Sequence, residues 1–149
     1  MTPIETLAAA AVLALSVSVG LVAHEFAHAA ALRAAAVPYE IDWFPDADAN
    51  GGVLRAGLRG RWATVRPRPD AATPRWSLRA SAMMPLAMAA PLALVAAGAV
   101  TDPFATDGLV RFAVVGWLAC ALPSPQDFSV LWYADRAVEA RDDPGPAAD

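Results

Sequence analysis

The chain contains a single cysteine, Cys120, two histidines and no lysine; all eleven of its basic residues are arginine. One cysteine excludes an internal disulfide and a cysteine-based zinc site, so any metal must be held by histidine and carboxylate. Cys120 itself reads as a small apolar residue in a helix. Charge is also scarce: 17% of residues are charged and the net charge is −4. No nucleic-acid partner is expected. What is abundant is apolar surface, at 57% of 149 residues, with a mean hydropathy of +0.40. Such a chain is too apolar for an ordinary soluble domain and too short for more than one compact unit, so the lipid bilayer is its expected solvent.

Three segments are long and apolar enough to span about 30 Å of hydrocarbon, at about 4–37, 80–100 and 109–133. The expected fold is therefore an all-α polytopic membrane protein of three transmembrane helices. A cleavable signal peptide fits the first segment poorly, because "MTPIE" has no basic residue and the apolar run exceeds the usual length. Arg33, Arg55, Arg59, Arg61, Arg66, Arg68, Arg75 and Arg79 lie between spans one and two, and Arg136 and Arg141 follow span three. The positive-inside rule then predicts a cell-membrane protein with the loop and C-terminus cytoplasmic and the N-terminus outside. Trp76, Trp132 and Tyr133 fall where interfacial aromatics would sit.

Between spans one and two, "YEIDWF" alternates apolar and acidic residues, the period of a half-buried strand. Asn50-Gly51 is a hairpin-turn signal, and "GVLRAGLRGRWATVRP" would return as one or two strands. A small cytoplasmic β-hairpin region over about 38–66 is expected from this pattern. The intramembrane core is then residues 1–133, and 134–149 reads as a polar, disordered tail.

The segment "LVAHEFAHAA", residues 21–30, places both histidines and a glutamate inside the first apolar span. Ionisable groups there cost roughly 2.5–3.5 kcal/mol each on insertion scales and mark a functional site by default. His24 and His28 are i and i+4, so on a helix they share a face and can ligate one Zn²⁺. Glu25, beside the first ligand, is placed to hold the metal-bound water and take its proton, the HExxH logic of metalloproteases. A purely structural HExxH is the competing reading. A third protein ligand is usual at catalytic zinc, and with no further histidine it must be a carboxylate. Asp127 is the only acidic residue of the third span and lies at a depth similar to that of His28, roughly 9–14 Å below the same surface. Pro123 and Pro125 break the helix beside it, and unpaired backbone at membrane depth is tolerated where it lines a wet cavity. The alternative for Asp127 is a carboxylate paired with an arginine or water.

With "HEFAH" in the first span, "SAMMPLAMAAPLAL" in the middle one and "LPSPQD" in the third, the chain resembles the site-2 protease family of intramembrane zinc metalloproteases over residues 15–133. In that family a proline-bearing motif ends in Leu-Asp-Gly, whose aspartate is the third zinc ligand, and Asp127 matches it. Gln126 stands where leucine is usual and Phe128 where glycine is. A bulky residue after the ligand would narrow the cavity. The segment between the first two spans resembles the family's membrane-associated β-region.

The resemblance implies one zinc ion on His24, His28 and Asp127, with Glu25 catalytic, and endoproteolysis of a transmembrane protein substrate, often releasing a cytoplasmic regulator. A helical substrate must unwind locally, and a strand of the hairpin region offers it an edge by β-augmentation. Two other classes remain open: an inactive pseudoprotease acting as a membrane scaffold, and a membrane zinc hydrolase with a non-protein substrate. No regulatory membrane partner is identified by the residues.

Overall fold

The computed structural model describes residues 2–45, 52, 62–70, 72–105 and 108–142, with side chains to Arg136. It is mostly helical, with one small two-stranded antiparallel sheet. The first helix, α1, runs Pro3–Ala34 and is started by local chemistry. The Thr2 side chain accepts the Glu5 N–H at 3.3 Å and Glu5 Oε2 accepts the Thr2 N–H at 2.7 Å, a capping box with proline at the first helical position. Its end is equally specified. Val37 N–H reaches back to Leu32 O at 2.9 Å and Ala36 N–H to Arg33 O at 3.1 Å, with Ala36 at φ 54°, a Schellman stop that Pro38 makes final. The Leu32–Val37 contact that accompanies the stop belongs to the hydrophobic core.

At 32 residues α1 is about 48 Å long, more than a hydrocarbon thickness. It is the one helix among the described residues long and apolar enough to cross a membrane. The expected second and third spans are not continuous helices. Residues 80–100 fall in α2 (Arg75–Met83), a 3₁₀ segment (Met84–Ala89) and α3 (Pro91–Ala96), because Pro85 and Pro91 lack the N–H that a continuing helix needs. Residues 109–133 divide into α4 (Val110–Cys120) and α5 (Pro125–Asp142), parted at 121–124, where the expected proline break lies.

The tail expected to be disordered from residue 134 begins as helix. α5 continues to Asp142, with a kink at Tyr133. "ADRAVEARD" has no proline or glycine and is rich in good helix formers. Asp135 is held there by Arg79 at 2.9 Å and Arg75 at 3.2 Å, both from α2. Residues 143–149 lie outside the described residues.

Strands β1 (Tyr39–Trp43) and β2 (Ala63–Pro67) pair antiparallel, Ile41 opposite Val65. The Asn50-Gly51 turn and residues 53–60 expected in the returning strands lie outside the described residues. Cross-strand ion pairs, Arg66 to Asp42 at 3.0 Å and Arg68 to Glu40, occupy the polar face. Tyr39 and Val65 pack on the core formed by Leu32, Val37, Leu78 and Ala134, so the sheet, α1, α2 and α5 meet around one apolar nucleus. α4 lies along the middle of α1 at small residues. A Cβ on Gly20 would meet Cys120 Sγ at 2.8 Å, and one on Gly116 would meet Ser16 Cβ at 3.0 Å. Small-residue contacts of this kind let helix backbones approach closely.

Candidate metal centre

The two proline breaks do more than end helices. A carbonyl within a helix accepts from the N–H four residues on, and for Ser81 that residue is Pro85, which has none. Ser81 O, left with only the Met84 N–H of the cap, takes up His28 Nδ1 at 2.8 Å. For Cys120 the residue four on is Ser124, whose N–H is given to Asp127 Oδ2 at 2.6 Å. Cys120 O is thereby free to accept from His24 Nδ1 at 2.7 Å. The close α1–α4 crossing at Gly20 brings that carbonyl within reach.

A carbonyl only accepts, so both Nδ1 atoms carry their protons and both Nε2 atoms present lone pairs. These lone pairs converge. His24 Nε2 and His28 Nε2 are 3.1 Å apart, His28 Nε2 is 3.1 Å from Asp127 Oδ1, and His24 Nε2 is 3.3 Å from Asp127 Oδ2. Three acceptors with no donor among them require positive charge between them, a metal ion or a proton. Tetrahedral zinc with arms of about 2.05 Å has ligand-to-ligand edges of about 3.3 Å, close to the His24–His28 separation and to the distance from each imidazole to its nearer Asp127 oxygen, Oδ2 for His24 and Oδ1 for His28. His24, His28 and Asp127 are thus close enough to hold a metal ion, and all three are buried.

Asp127 also has a structural job. Ser124 Oγ accepts the Asp127 N–H at 3.2 Å while Asp127 Oδ2 accepts the Ser124 N–H, a capping box that starts α5. Oδ1 takes no backbone donor and is the oxygen left for an ion. The arginine pairing considered for Asp127 is not found among the described ion pairs.

Glu25 lines the same cavity, of about 470 Å³, but faces the sheet: its Oε2 accepts the Val65 N–H at 2.8 Å. The cavity is also walled by Ala63, Thr64 and Pro67 of β2 and by Gln126. Phe128, expected to narrow it, turns away and stacks on Trp132 with ring centroids 5.6 Å apart.

The structure therefore brings His24, His28 and Asp127 into contact and puts Glu25 on their cavity. The sequence reading missed Ser81, Cys120 and Val65, which act through backbone atoms. Pro85 four residues after Ser81 was the available signal for one of them, and Ser-x-x-Asp at 124–127 for the cap. Comparison of the chain with protein-family models, curated proteins and solved structures finds no match.

Proposed function

We propose that this chain is an intramembrane zinc-dependent endopeptidase, of the kind the site-2 protease resemblance implies, acting on a transmembrane protein. The convergence of three ligand atoms from α1 and α5, with Glu25 on their cavity, is the observation that carries the reading. A purely structural HExxH does not need a third acceptor brought about 100 residues along the chain onto both imidazoles. Bound between these ligands, zinc would supply the positive charge that acidifies a water and polarises a substrate carbonyl. Glu25, which is no ligand, accepts the water's proton and passes it to the leaving amine. Ser81 and Cys120 fix the histidine tautomers throughout.

The substrate's scissile segment must leave its helix. The sheet supports a place for it. Phe44 N–H bonds Trp62 O and Arg68 N–H bonds Pro38 O. These hydrogen-bonded pairs fix the parity of the ladder, so Ala63, Val65 and Pro67 turn their backbone groups away from β1. That outer edge of β2 walls the cavity, and an unwound peptide laid along it would pass the ligands.

Three traverses with the N-terminus outside remain the topology we favour, supported by the arginine asymmetry and by the exposure of Trp76, Trp132 and Tyr133 near the Arg75/Arg79–Asp135 contact. Phe128, stacked on Trp132 and outside the cavity lining, favours the active reading over an inactive scaffold.

The test is zinc content and cleavage of a model single-span substrate by the detergent-purified chain, wild type against Glu25→Gln. Zinc should stay stoichiometric in both, while cleavage falls by about 10²–10⁴-fold in the variant. Wild-type rates in Glu25→Gln would remove the mechanism. Zinc without any cleavage by the wild type would favour the scaffold, or, if lipid products appear, a lipid hydrolase.

A further inference from the structure

Val65 presents one N–H to the outer edge of β2, and Glu25 Oε2 occupies it at 2.8 Å. Within β2 the outward N–H positions are 63, 65 and 67, and Pro67 has no N–H. That leaves the N–H groups of Ala63 and Val65 on the edge that walls the cavity, and a peptide pairing along both must take the Val65 N–H from Glu25, because an N–H serves one strong acceptor at a time. Resting on the protease reading above, we propose that Val65 is a latch for Glu25: a substrate strand places its own carbonyl on the Val65 N–H and so releases the Glu25 carboxylate into the cavity. Substrate register and freedom of the base become one event. In the absence of a strand the carboxylate stays tethered to the sheet, which suppresses hydrolysis of anything too short to pair.

The exchange conserves hydrogen bonds. The Val65 N–H loses a carboxylate acceptor and gains a carbonyl, and the carboxylate becomes available to the attacking water. Because charge-assisted bonds are the stronger kind, a short or poorly pairing peptide does not break the latch, and a strand must bring several bonds at once. Selectivity for extended, unwound substrate thus follows from β2 and Glu25 together.

Proline at residue 65 tests the latch, because it deletes an N–H that points away from β1 and leaves the ladder bonds intact, as Pro67 already does two residues on. In the full-length purified protein, Val65→Pro should cut kcat/KM for a single-span transmembrane substrate about tenfold or more. Its hydrolysis of a fluorogenic tripeptide amide should rise, by about threefold or more, because the base is untethered. Val65→Ala trims the side chain and keeps the N–H, so its tripeptide rate should not rise. A second readout needs no activity: amide hydrogen exchange at Val65 should quicken in Glu25→Ala and slow again when a transmembrane peptide is added. Tripeptide hydrolysis that falls with the long substrate in Val65→Pro would overturn the latch, as would equal Val65 exchange in wild type and Glu25→Ala. If the wild type cleaves neither substrate, the protease reading fails. The exchange data then decide the latch alone, renewed protection by peptide supporting it and none overturning it.

Discussion

The two halves of α1 belong to one apolar run in the sequence and live in different surroundings. In the N-terminal half Ile4, Leu7 and Leu15 are two-thirds or more exposed, at 80%, 71% and 67%. In the C-terminal half Ala29 and Leu32 are buried, and so are His24 and His28. A helix apolar on all sides but uncovered by its own protein is what lipid would solvate. Polar groups follow the division. The N-terminal half carries hydroxyls that satisfy themselves on helix carbonyls, Ser18 on Ala14 O and Ser16 on Ala113 O. The C-terminal half carries His24, Glu25 and His28, and each of these has a partner supplied by another element: Cys120 of α4, Ser81 of α2, Asp127 of α5 and Val65 of β2. Burial of charge in an apolar helix is thus confined to the stretch where surrounding elements offer complementary atoms.

Removing a ligand should break the contrast most severely. His24→Ala or His28→Ala is expected to abolish stoichiometric zinc, and Asp127→Ala to weaken it by about 100-fold or more, since one of three ligands is lost. Leu7→Ala, which removes as many heavy atoms as Asp127→Ala but in the exposed half, should leave zinc content unchanged. Metal analysis after dialysis reads all four. Asp127→Ala holding zinc as tightly as wild type would show that the third ligand lies elsewhere.

The boundary between the halves is Gly20, and it offers a sharper test at smaller amplitude. A Cβ there meets Cys120 Cβ at 2.9 Å, so Gly20→Ala must push α4 outward and draw the Cys120 carbonyl from His24 Nδ1. Loss of such an orienting partner typically costs about 10–100-fold in metal affinity. Cys120→Gly in the same chain removes the obstructing atoms and keeps the carbonyl, so the double variant should recover most of the affinity, a coupling that a double-mutant cycle measures. Additive losses would mean that the crossing does not set the carbonyl.

The parts legible in the sequence were those written in side chains. The i, i+4 histidines sit on one face of a helix the pattern located to within a few residues, and Asp127 was found because an acid is conspicuous in an apolar run. The strand at Tyr39–Trp43 followed from its alternation. Hidden from the sequence were contacts made by backbone atoms: the Ser81 and Cys120 carbonyls and the Val65 N–H carry no side-chain signature, and their availability depends on which neighbour fails to claim them. Hydropathy likewise registered residues 80–100 as a uniform run, because proline barely alters an average while it cuts a helix, whereas the break beside Pro123 and Pro125 was expected. The helix after residue 134 was missed because its polarity was read as disorder, whereas Arg75 and Arg79 of α2 neutralise Asp135 across the fold.

The smallest expected effect reverses sign between the two halves. Ala36 closes the C-terminal half in the left-handed region at φ 54°, where a Cβ costs about 1–2 kcal/mol. Ala36→Gly removes that strain while giving the unfolded chain more freedom, worth about 0.4–1 kcal/mol against folding. The balance is a stabilisation of about 0.5 kcal/mol, with zinc content unchanged. Ala10 is exposed in the interior of the N-terminal half, in ordinary helix, and the same substitution there should destabilise by about 0.5–1 kcal/mol. Reversible unfolding in mixed detergent micelles, with both variants measured against wild type, reads the pair. Destabilisation by glycine at both positions would mean that residue 36 does not hold the left-handed conformation, and that the stop between α1 and β1 is built in some other way.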